Sequence, residues 1–432
     1  MLDASVLSGA LPAAVSLAGV LAVGFLLVRP SRGWWRRVVP ASAGASALVV
    51  LLADVGLEVW KPFPDPLPIR ILFWAGVAIL GLALAVANAA SASWRRRAAL
   101  VPAFLLVLIL SAMKINAFYG YRPTLGSALG ISPTAETNFA EVAGRRPIVL
   151  TAPGKPLAQS WRAPSNMPTT GPVTRVDIIG VRSHFHARPA SVYLPPAYLA
   201  SPRPLLPVLV LIAGQPGGPD DWLIAGTLAK IMNSFAATHA GLAPIVVVPD
   251  ATGSTLGNPL CLDSRLGNAE SYLAQDVPDW VKTNLQVDPN PRHWAIAGFS
   301  YGGTCALQLA VRKPQLYPTF LDISGQQEPT LGNRPQTVRA TYGGNDAQFD
   351  AVDPLNILAT TRFPATAGII AVGAGDREYG PQAQRVTDAA RNAGISIQLL
   401  HLQGGHSWAI ATEALRTALP WIASRADLIP SP

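Results

Sequence analysis

Apolar residues follow two different patterns along this chain, with a change near residue 118. Before it come four runs that are apolar all round, at about 4–28, 38–60, 71–93 and 99–118. Each is long enough to cross about 30 Å of hydrocarbon as a helix, which takes roughly twenty residues. After residue 172, short apolar runs alternate with stretches of helical period. "VTRVDIIG" and "RPASVYLPP" read as two early strands, expected to be antiparallel. "LPVLVLIAG", "APIVVVPD", "HWAIAGFS", "PTFLDISG", "AGIIAVGAGD" and "SIQLLHLQGG" read as later strands. Continuous apolar runs of this length suit strands covered on both faces. Between and after them, "DWLIAGTLAKIMNSFAATHA", "AESYLAQDVPDWVKTNL", "GGTCALQLAVRK", "PQAQRVTDAARNAG" and "HSWAIATEALRTALPWIASR" read as helices. Such alternation implies a mostly parallel sheet with helices on both faces. Residues 119–172 keep no period and are punctuated by Pro, Gly, Ser and Thr, as a linker or an irregular strap would be. The expected organisation is an all-α bundle of four transmembrane helices over 1–118, a linker or strap over 119–172, and an α/β domain over 173–432.

Charge sharpens the reading of the first part. Only 13% of the 432 residues are charged, and 50% are hydrophobic. Residues 1–118 hold ten Lys or Arg against four Asp or Glu, so most of the net charge of +8 belongs to them. That distribution gives little support to a nucleic-acid partner. The first connection carries Arg29, Arg32, Arg36 and Arg37, and the third carries Arg95, Arg96 and Arg97. The second has Lys61 and Arg70, partly offset by Asp65. Basic connections stay in the cytoplasm. Four spans then put the N-terminus and everything after residue 118 on the extracytoplasmic side of the plasma membrane. Trp34, Trp35, Trp60, Trp94 and Tyr119 fall where an interfacial aromatic belt would lie. A cleaved signal peptide fits poorly, because "MLDAS" has an acid and no base. A bundle buried in a soluble protein is opposed by the arginine asymmetry. Asp54 and Glu58, one turn apart in the second span, are expected to reach toward the outer surface near Lys61 or Lys114. An intramembrane function is the other reading of them.

The chemistry gathers in the second part. Gly298-Phe299-Ser300-Tyr301-Gly302 sits between a predicted strand and a predicted helix, as a nucleophile elbow does. Small residues at 298 and 302 allow the close backbone approach that such a turn needs. The helix N-terminus behind Ser300 and the free N–H of Tyr301 favour an oxyanion. A serine needs a base, and the base an orienting acid, in the chain order Ser, Asp or Glu, His. Asp376 follows a strand, with Glu378 in reserve. Only His401 and His406 come later. His401 lies within a strand and reads as a packed side chain, so the expected base is His406. The second oxyanion donor is expected from Gly214-Gln215-Pro216-Gly217-Gly218, with Gln215 N–H as the choice because Pro216 has none.

These pieces resemble the esterase family of α/β-hydrolases over about 173–424. That family includes feruloyl esterases, S-formylglutathione hydrolases and secreted mycolyltransferases. The resemblance is carried by "SVYLPPAYL", "LPVLVLIAGQPGGPDDW", "IVVVPD", "GFSYGG", "GAGDRE" and "GGHSW". It implies an α/β-hydrolase fold and an acylated Ser300, with Asp376 and His406 completing a triad and the N–H groups of Gln215 and Tyr301 holding the oxyanion. Many members have His-Gly where this chain has Ala213-Gly214. The backbone donor survives that change, and pocket polarity and substrate shape are what it alters. The four spans are no part of the family core.

Cys261 and Cys305 are the only cysteines, in a domain placed where disulfides persist. Cys305 is on the helix behind Ser300 and Cys261 in the loop after "IVVVPD", so a disulfide is expected, the alternative being two buried free thiols. His184 and His186 alternate in "SHFHARP" with no further ligand spacing, so a structural role is expected and no metal. The segment 326–362 is long enough to line a substrate pocket, and Asp346 and Asp350 in it read as turn and cap residues. Together these features predict a membrane-tethered serine esterase that needs no cofactor. Its partners would be the bilayer and an ester substrate, with a membrane lipid or envelope glycolipid fitting the placement. Acyl transfer to a sugar or lipid hydroxyl is the near alternative. A non-enzymatic envelope binding protein, or lipid transport by the bundle itself, are readings of a different class.

Overall fold

The computed structural model describes residues 2–431 apart from 63, 91, 132, 133 and 150–153. The chain divides into two units, Met1–Ile131 and Ser132–Pro432.

The first unit is helical. It comprises α1 (Ala10–Leu27), α2 (Val39–Trp60, entered through a π-helical turn at Trp34–Val38), α3 (Ile69–Ala89) and α4 (Trp94–Tyr119). All four helices are long and apolar enough to cross a membrane. α4 packs between α1 and α3, and α2 packs on α3. The seam is made by Ala22, Leu26, Leu84, Leu100, Ala103 and Val107. Small residues let the backbones approach: a Cβ at Gly19 would stand 2.7 Å from Leu110 Cβ, and one at Gly81 2.9 Å from a Val107 methyl. Leu17, Leu21, Leu48, Leu52 and Val86 point outward, as on helices made for an apolar medium. Buried Asn88 donates to the Leu26 and Leu84 carbonyls and accepts from Arg96, which closes one end of the seam. Glu58 pairs with Lys61 at the other end of α2. The first helix starts at Ala10 rather than near residue 4, because Ser5 pairs with Thr124 in a β-bridge. The segment after Tyr119 folds back accordingly: Leu125 N–H donates to Ala4 O at 2.9 Å and Gly126 N–H to Leu2 O at 2.8 Å.

The second unit is built on an eight-stranded sheet. Its members are β1 (Val173–Val176), β2 (Ala190–Tyr193), β3 (Val208–Ile212) and β4 (Ile245–Val248). After the small hairpin of β5 (Asp263–Ser264) and β6 (Gly267–Asn268) come β7 (Trp294–Phe299), β8 (Thr319–Ile323), β9 (Ala367–Gly373) and β10 (Ser396–Leu402). The order is β1-β2-β4-β3-β7-β8-β9-β10. β2 is antiparallel to both its neighbours and every later pairing is parallel. Strands β3, β4, β7, β8 and β9 are buried along their whole length, which is why they read as unbroken apolar runs. β10 is an edge strand with alternating exposure.

Helices cover both faces: α5 (Asp220–Ile224), α6 (Leu228–Thr238), α7 (Val277–Asn284), α8 (Tyr301–Arg312), α9 (Arg334–Tyr342), α10 (Asp346–Asp350), α11 (Pro354–Thr360), α12 (Tyr379–Asn392) and α13 (Trp408–Arg425). The stretch read as one helix from Asp221 is two. Thr227 sits at φ 47, and Gly226 presses so closely on Trp222 that a Cβ there would stand 2.5 Å from the indole. β1 also ends sooner than its apolar run, at Val176. The chain then turns at Ile179–Val181, and the Asp276 carboxylate accepts the N–H groups of Arg182 and Ser183 at 2.8 and 3.1 Å. Residues 134–149 and 154–172 run over this unit: Thr137 N–H donates to Val173 O, Leu157 N–H to Asp427 O, and Trp161 Nε1 to Ala240 O. Helices α9 and α10 and the turn after them pack through Val338, Phe349 and Val352 on Leu260 and Leu262. There Asn345 caps α10 and Asp353 caps α11, while Asp350 pairs with Arg334 rather than capping a helix.

Candidate active site

β7 ends at Phe299 and α8 begins at Tyr301, so Ser300 alone makes the turn between strand and helix. Its backbone lies at φ 57, ψ −117, a conformation that a residue with a Cβ holds only when its surroundings insist. Here they do. Ser300 N–H donates to Ile323 O at 2.8 Å, and Ser300 O accepts from Gly303 and Thr304 N–H at 2.9 and 3.1 Å. The flanking glycines are steric necessities. A Cβ at Gly298 would stand 2.1 Å from Gly302 O, and one at Gly302 2.2 Å from Ile212 O.

His406 lies between β10 and α13, and Asp376 just beyond β9. The structure brings both to Ser300: His406 Nε2 is 3.0 Å from Ser300 Oγ, and His406 Nδ1 is 3.2 Å from Asp376 Oδ2. The second carboxylate oxygen of Asp376 accepts Tyr379 N–H at 3.0 Å, which fixes the acid. The Asp376 side chain is 4% exposed and that of His406 26%, so the line runs from a dry end to an accessible one. The imidazole is held between two rings. Tyr379 stacks on one side at 4.3 Å between centroids, and Phe299 on the other at 4.9 Å. Trp408 supports Phe299, and Trp222 meets Trp408 edge-on. Glu378 stands outside the line, next to Gln382. His401, expected to be packed, is exposed instead, because β10 is an edge strand. His184 and His186 are exposed on the β1–β2 connection. Among the described residues no three His, Cys, Asp or Glu side chains are grouped to hold a metal ion.

Tyr301 is the first residue of α8, so its N–H has no carbonyl partner within the helix and lies at the positive end of the peptide dipoles. The other flank of the serine is the 214–218 loop. A Cβ at Gly214 would stand 3.6 Å from Ser300 Cβ, so this backbone passes directly beside the nucleophile. The loop is fixed from three sides. Arg188 Nη2 donates to Gly217 O at 2.8 Å, Gly217 N–H to Thr255 O at 3.0 Å, and Gly218 N–H to Asp221 Oδ2 at 2.8 Å. Arg188 is itself gripped by Asp250 through Nε–Oδ2 at 2.9 Å and Nη2–Oδ1 at 2.8 Å, with Arg188 N–H on Oδ2 at 2.7 Å. Burial alone would raise the Asp250 carboxyl, but its hydrogen bonds and charge contact with Arg188, together with the Thr252 N–H, hold it below the usual range. Sequence reading missed this pair, since 62 positions separate its members and no local pattern joins them.

Behind the serine, Cys261 and Cys305 form a disulfide with Cα atoms 5.5 Å apart. Tyr301 OH donates to Ala251 O at 2.9 Å and accepts Cys261 N–H at 3.1 Å. The loop after β4 is thereby stitched to α8. Burial pushes the Tyr301 phenol up, so it stays a donor. At the end of β8, Asp322 is buried with Gly325 N–H on its Oδ1 at 2.8 Å. Burial pushes its carboxyl up to about 7, against the opposing pull of that N–H.

Comparison with known proteins bears on the family and the fold. The esterase family profile, described as "Putative esterase", matches residues 185–422. An uncharacterized protein of Corynebacterium glutamicum is 35% identical over 418 residues, 94% of this chain and 93% of that one. The diacylglycerol acyltransferase/mycolyltransferase Ag85C of Mycobacterium avium is 28% identical over 181 residues, 37% of this chain and 51% of that protein. Among solved structures, a ferulic acid esterase aligns with a TM-score of 0.52 and 19% identity, over 61% of this chain and 100% of that one. An S-formylglutathione hydrolase from Agrobacterium tumefaciens aligns with a TM-score of 0.51 and 19% identity, over 60% and 98%. These two likenesses concern the fold, and they extend to the mostly parallel sheet and its helices.

Proposed function

The chain belongs to this esterase family of carboxylic ester hydrolases, and on that premise we propose that it is a membrane-anchored serine esterase with Ser300, His406 and Asp376 as its catalytic triad. One observation carries the assignment: the unbroken line of hydrogen-bond distances from Ser300 Oγ through His406 to Asp376. Ser300 Oγ attacks the ester carbonyl carbon while its proton passes to His406 Nε2. Asp376 keeps the other imidazole nitrogen protonated and offsets the charge that forms. The N–H groups of Gln215 and Tyr301 receive the oxyanion. Collapse breaks the bond to the alcohol, which leaves with the proton from His406. Water repeats the sequence on the acyl-Ser300, so acid is released and the serine restored.

The four apolar helices support anchoring. The arginines at 29–37 and 95–97 support a topology with the N-terminus and the catalytic unit outside. A disulfide suits that compartment. Anchoring in turn favours an ester carried by a membrane lipid or an envelope glycolipid. A second reading, acyl transfer to a sugar or lipid hydroxyl, is favoured by the similarity to an acyltransferase. In it an acceptor alcohol replaces water in the second half-reaction.

The test uses the full chain in proteoliposomes with a chromogenic ester, with and without a diacylglycerol or sugar acceptor. Free acid should appear without acceptor, and His406→Ala should lower turnover by about 10⁴-fold or more. Product found only on the acceptor would establish the transfer reading. Equal background rates for wild type and His406→Ala across esters of several chain lengths would refute both.

A further inference from the structure

Single exposed apolar side chains are ordinary, but their concentration at one place needs a reason. In the unit Ser132–Pro432, five large apolar side chains stand exposed among the described residues: Ile148, Ile179, Val181, Leu256 and Leu266. Four of the five lie in the β1–β2 connection and in the segment after β4 that carries the β5–β6 hairpin. Ile179 and Val181, 68% and 72% exposed, are in the β1–β2 connection. Leu256 and Leu266, 46% and 39% exposed, follow β4.

Topology puts both segments at one edge of the sheet. β1 is antiparallel to β2 and β2 to β4, so β1 runs with β4 and its carboxyl end lies beside theirs. That is the edge where Ser300 follows β7. The segments also touch. The Phe185 ring lies where a Cβ on Gly253 or Gly267 would meet it at 3.5 or 3.4 Å, and Asn268 Nδ2 donates to Ser183 O at 2.8 Å. Gln215 Nε2 reaches Leu256 O at 3.2 Å, which joins this surface to the candidate oxyanion loop. The β1–β2 tip is held in place by Asp276 on two backbone N–H groups and by the Arg182–Asp279 pair at 2.9 Å. Its apolar side chains are therefore presented to the outside by a bonded framework.

We infer that Ile179, Val181, Leu256 and Leu266 form an apolar collar that rests on a lipid bilayer, so that the catalytic edge works at the membrane surface. The inference depends on the membrane anchoring proposed above. At 68% and 72% exposure, Ile179 and Val181 project from the molecule instead of lining a cleft for a single acyl chain. A chain with four helices fit to cross a membrane keeps a bilayer constantly within reach. Losing the burial of Ile179 and Val181 should lower interfacial engagement by about tenfold to a hundredfold.

Both native cysteines are engaged in the disulfide, so one introduced cysteine can carry an environment-sensitive fluorophore. Full-length Val181→Cys and Ala365→Cys proteins, labelled and reconstituted into phosphatidylcholine–phosphatidylglycerol vesicles with spin-labelled lipids, provide the test. Ala365 is exposed just before β9, at the opposite edge of the sheet. The probe at 181 should be quenched and that at 365 not. Alongside it, Ile179→Ser/Val181→Ser should keep its rate on a water-soluble ester and lose about tenfold or more on an ester dissolved in the bilayer. No quenching at 181 in protein that resists alkaline extraction from the vesicles would overturn the collar and leave the anchored esterase standing. Quenching at 181 only by a spin-labelled acyl ester substrate would overturn it in favour of an acyl-chain contact. Release by alkali would overturn the anchoring, and the collar with it.

Discussion

Replacing Arg188 by methionine isolates the support of the 214–218 loop. The change keeps most of the side-chain bulk and removes the guanidinium that joins Asp250 to Gly217 O. Asp250 is 0% exposed in its side chain and Arg188 30%, so a buried carboxylate is left without its cation. Breaking such a pair costs about 3–5 kcal/mol, on the order of 10 °C in the unfolding midpoint of a domain this large. The effect has a pH signature. In the wild type the Asp250 carboxyl is lowered, so its stabilisation is present above the unfolded value of about 4 and disappears as pH falls through the folded one. In the variant burial dominates and the carboxyl rises, which destabilises above the same unfolded value. The stability gap should be widest at neutral pH, narrow toward about pH 4 and close only as pH falls through the lower folded value of Asp250. The freed loop should also lower kcat by about ten- to a hundredfold with little change in KM, short of the 10²- to 10³-fold typical of losing a whole oxyanion donor. Thermal unfolding of the detergent-solubilised full chain between pH 4 and 8, with ester turnover at pH 7.5, measures both. A gap independent of pH together with a kcat within twofold of wild type would mean that Arg188 neither neutralises Asp250 nor holds the loop.

Other consequences are more local. Gly298→Ala puts a Cβ 2.1 Å from Gly302 O, so turnover should drop at least a hundredfold while far-ultraviolet circular dichroism of the expressed protein changes little. Cys261→Ser/Cys305→Ser opens a link spanning 44 positions, which should cost about 4 kcal/mol in the chain-entropy account; urea unfolding with and without reductant reads this. Asp322, raised to about 7 in the folded state, favours the fold only when protonated, so stability should fall as pH rises from about 4 to about 7. Asp322→Asn keeps an acceptor for Gly325 N–H and should remove that slope, with a gain on the order of 4 kcal/mol at pH 8.

The parts legible in the sequence are those whose physics is local. Gly298, Ser300 and Gly302 sit at fixed offsets because one turn has no room for a Cβ at either glycine. Asp376 and His406 could be anticipated near Ser300 because each follows an apolar run, and such runs end at one edge of a parallel sheet. Contacts made across the fold leave no such trace. Arg188 finds Asp250, and Tyr379 and Phe299 clamp His406, through pairings that periodicity cannot express. The break between α5 and α6 was hidden because apolar spacing continues through Gly226 and Thr227 while the backbone does not. Residues 120–131 read as linker since their partners are Leu2, Ala4 and Val6, at the far end of the helical unit's sequence.

Ester cleavage at this site requires Ser300 to be an activated nucleophile. Incubating the full-length protein with a fluorophosphonate and measuring its intact mass tests this directly. One adduct is expected, mapped to Ser300, slowed by about 10³-fold or more in His406→Ala and missing in Ser300→Ala. An unmodified wild type, or an adduct that persists in Ser300→Ala, would contradict it.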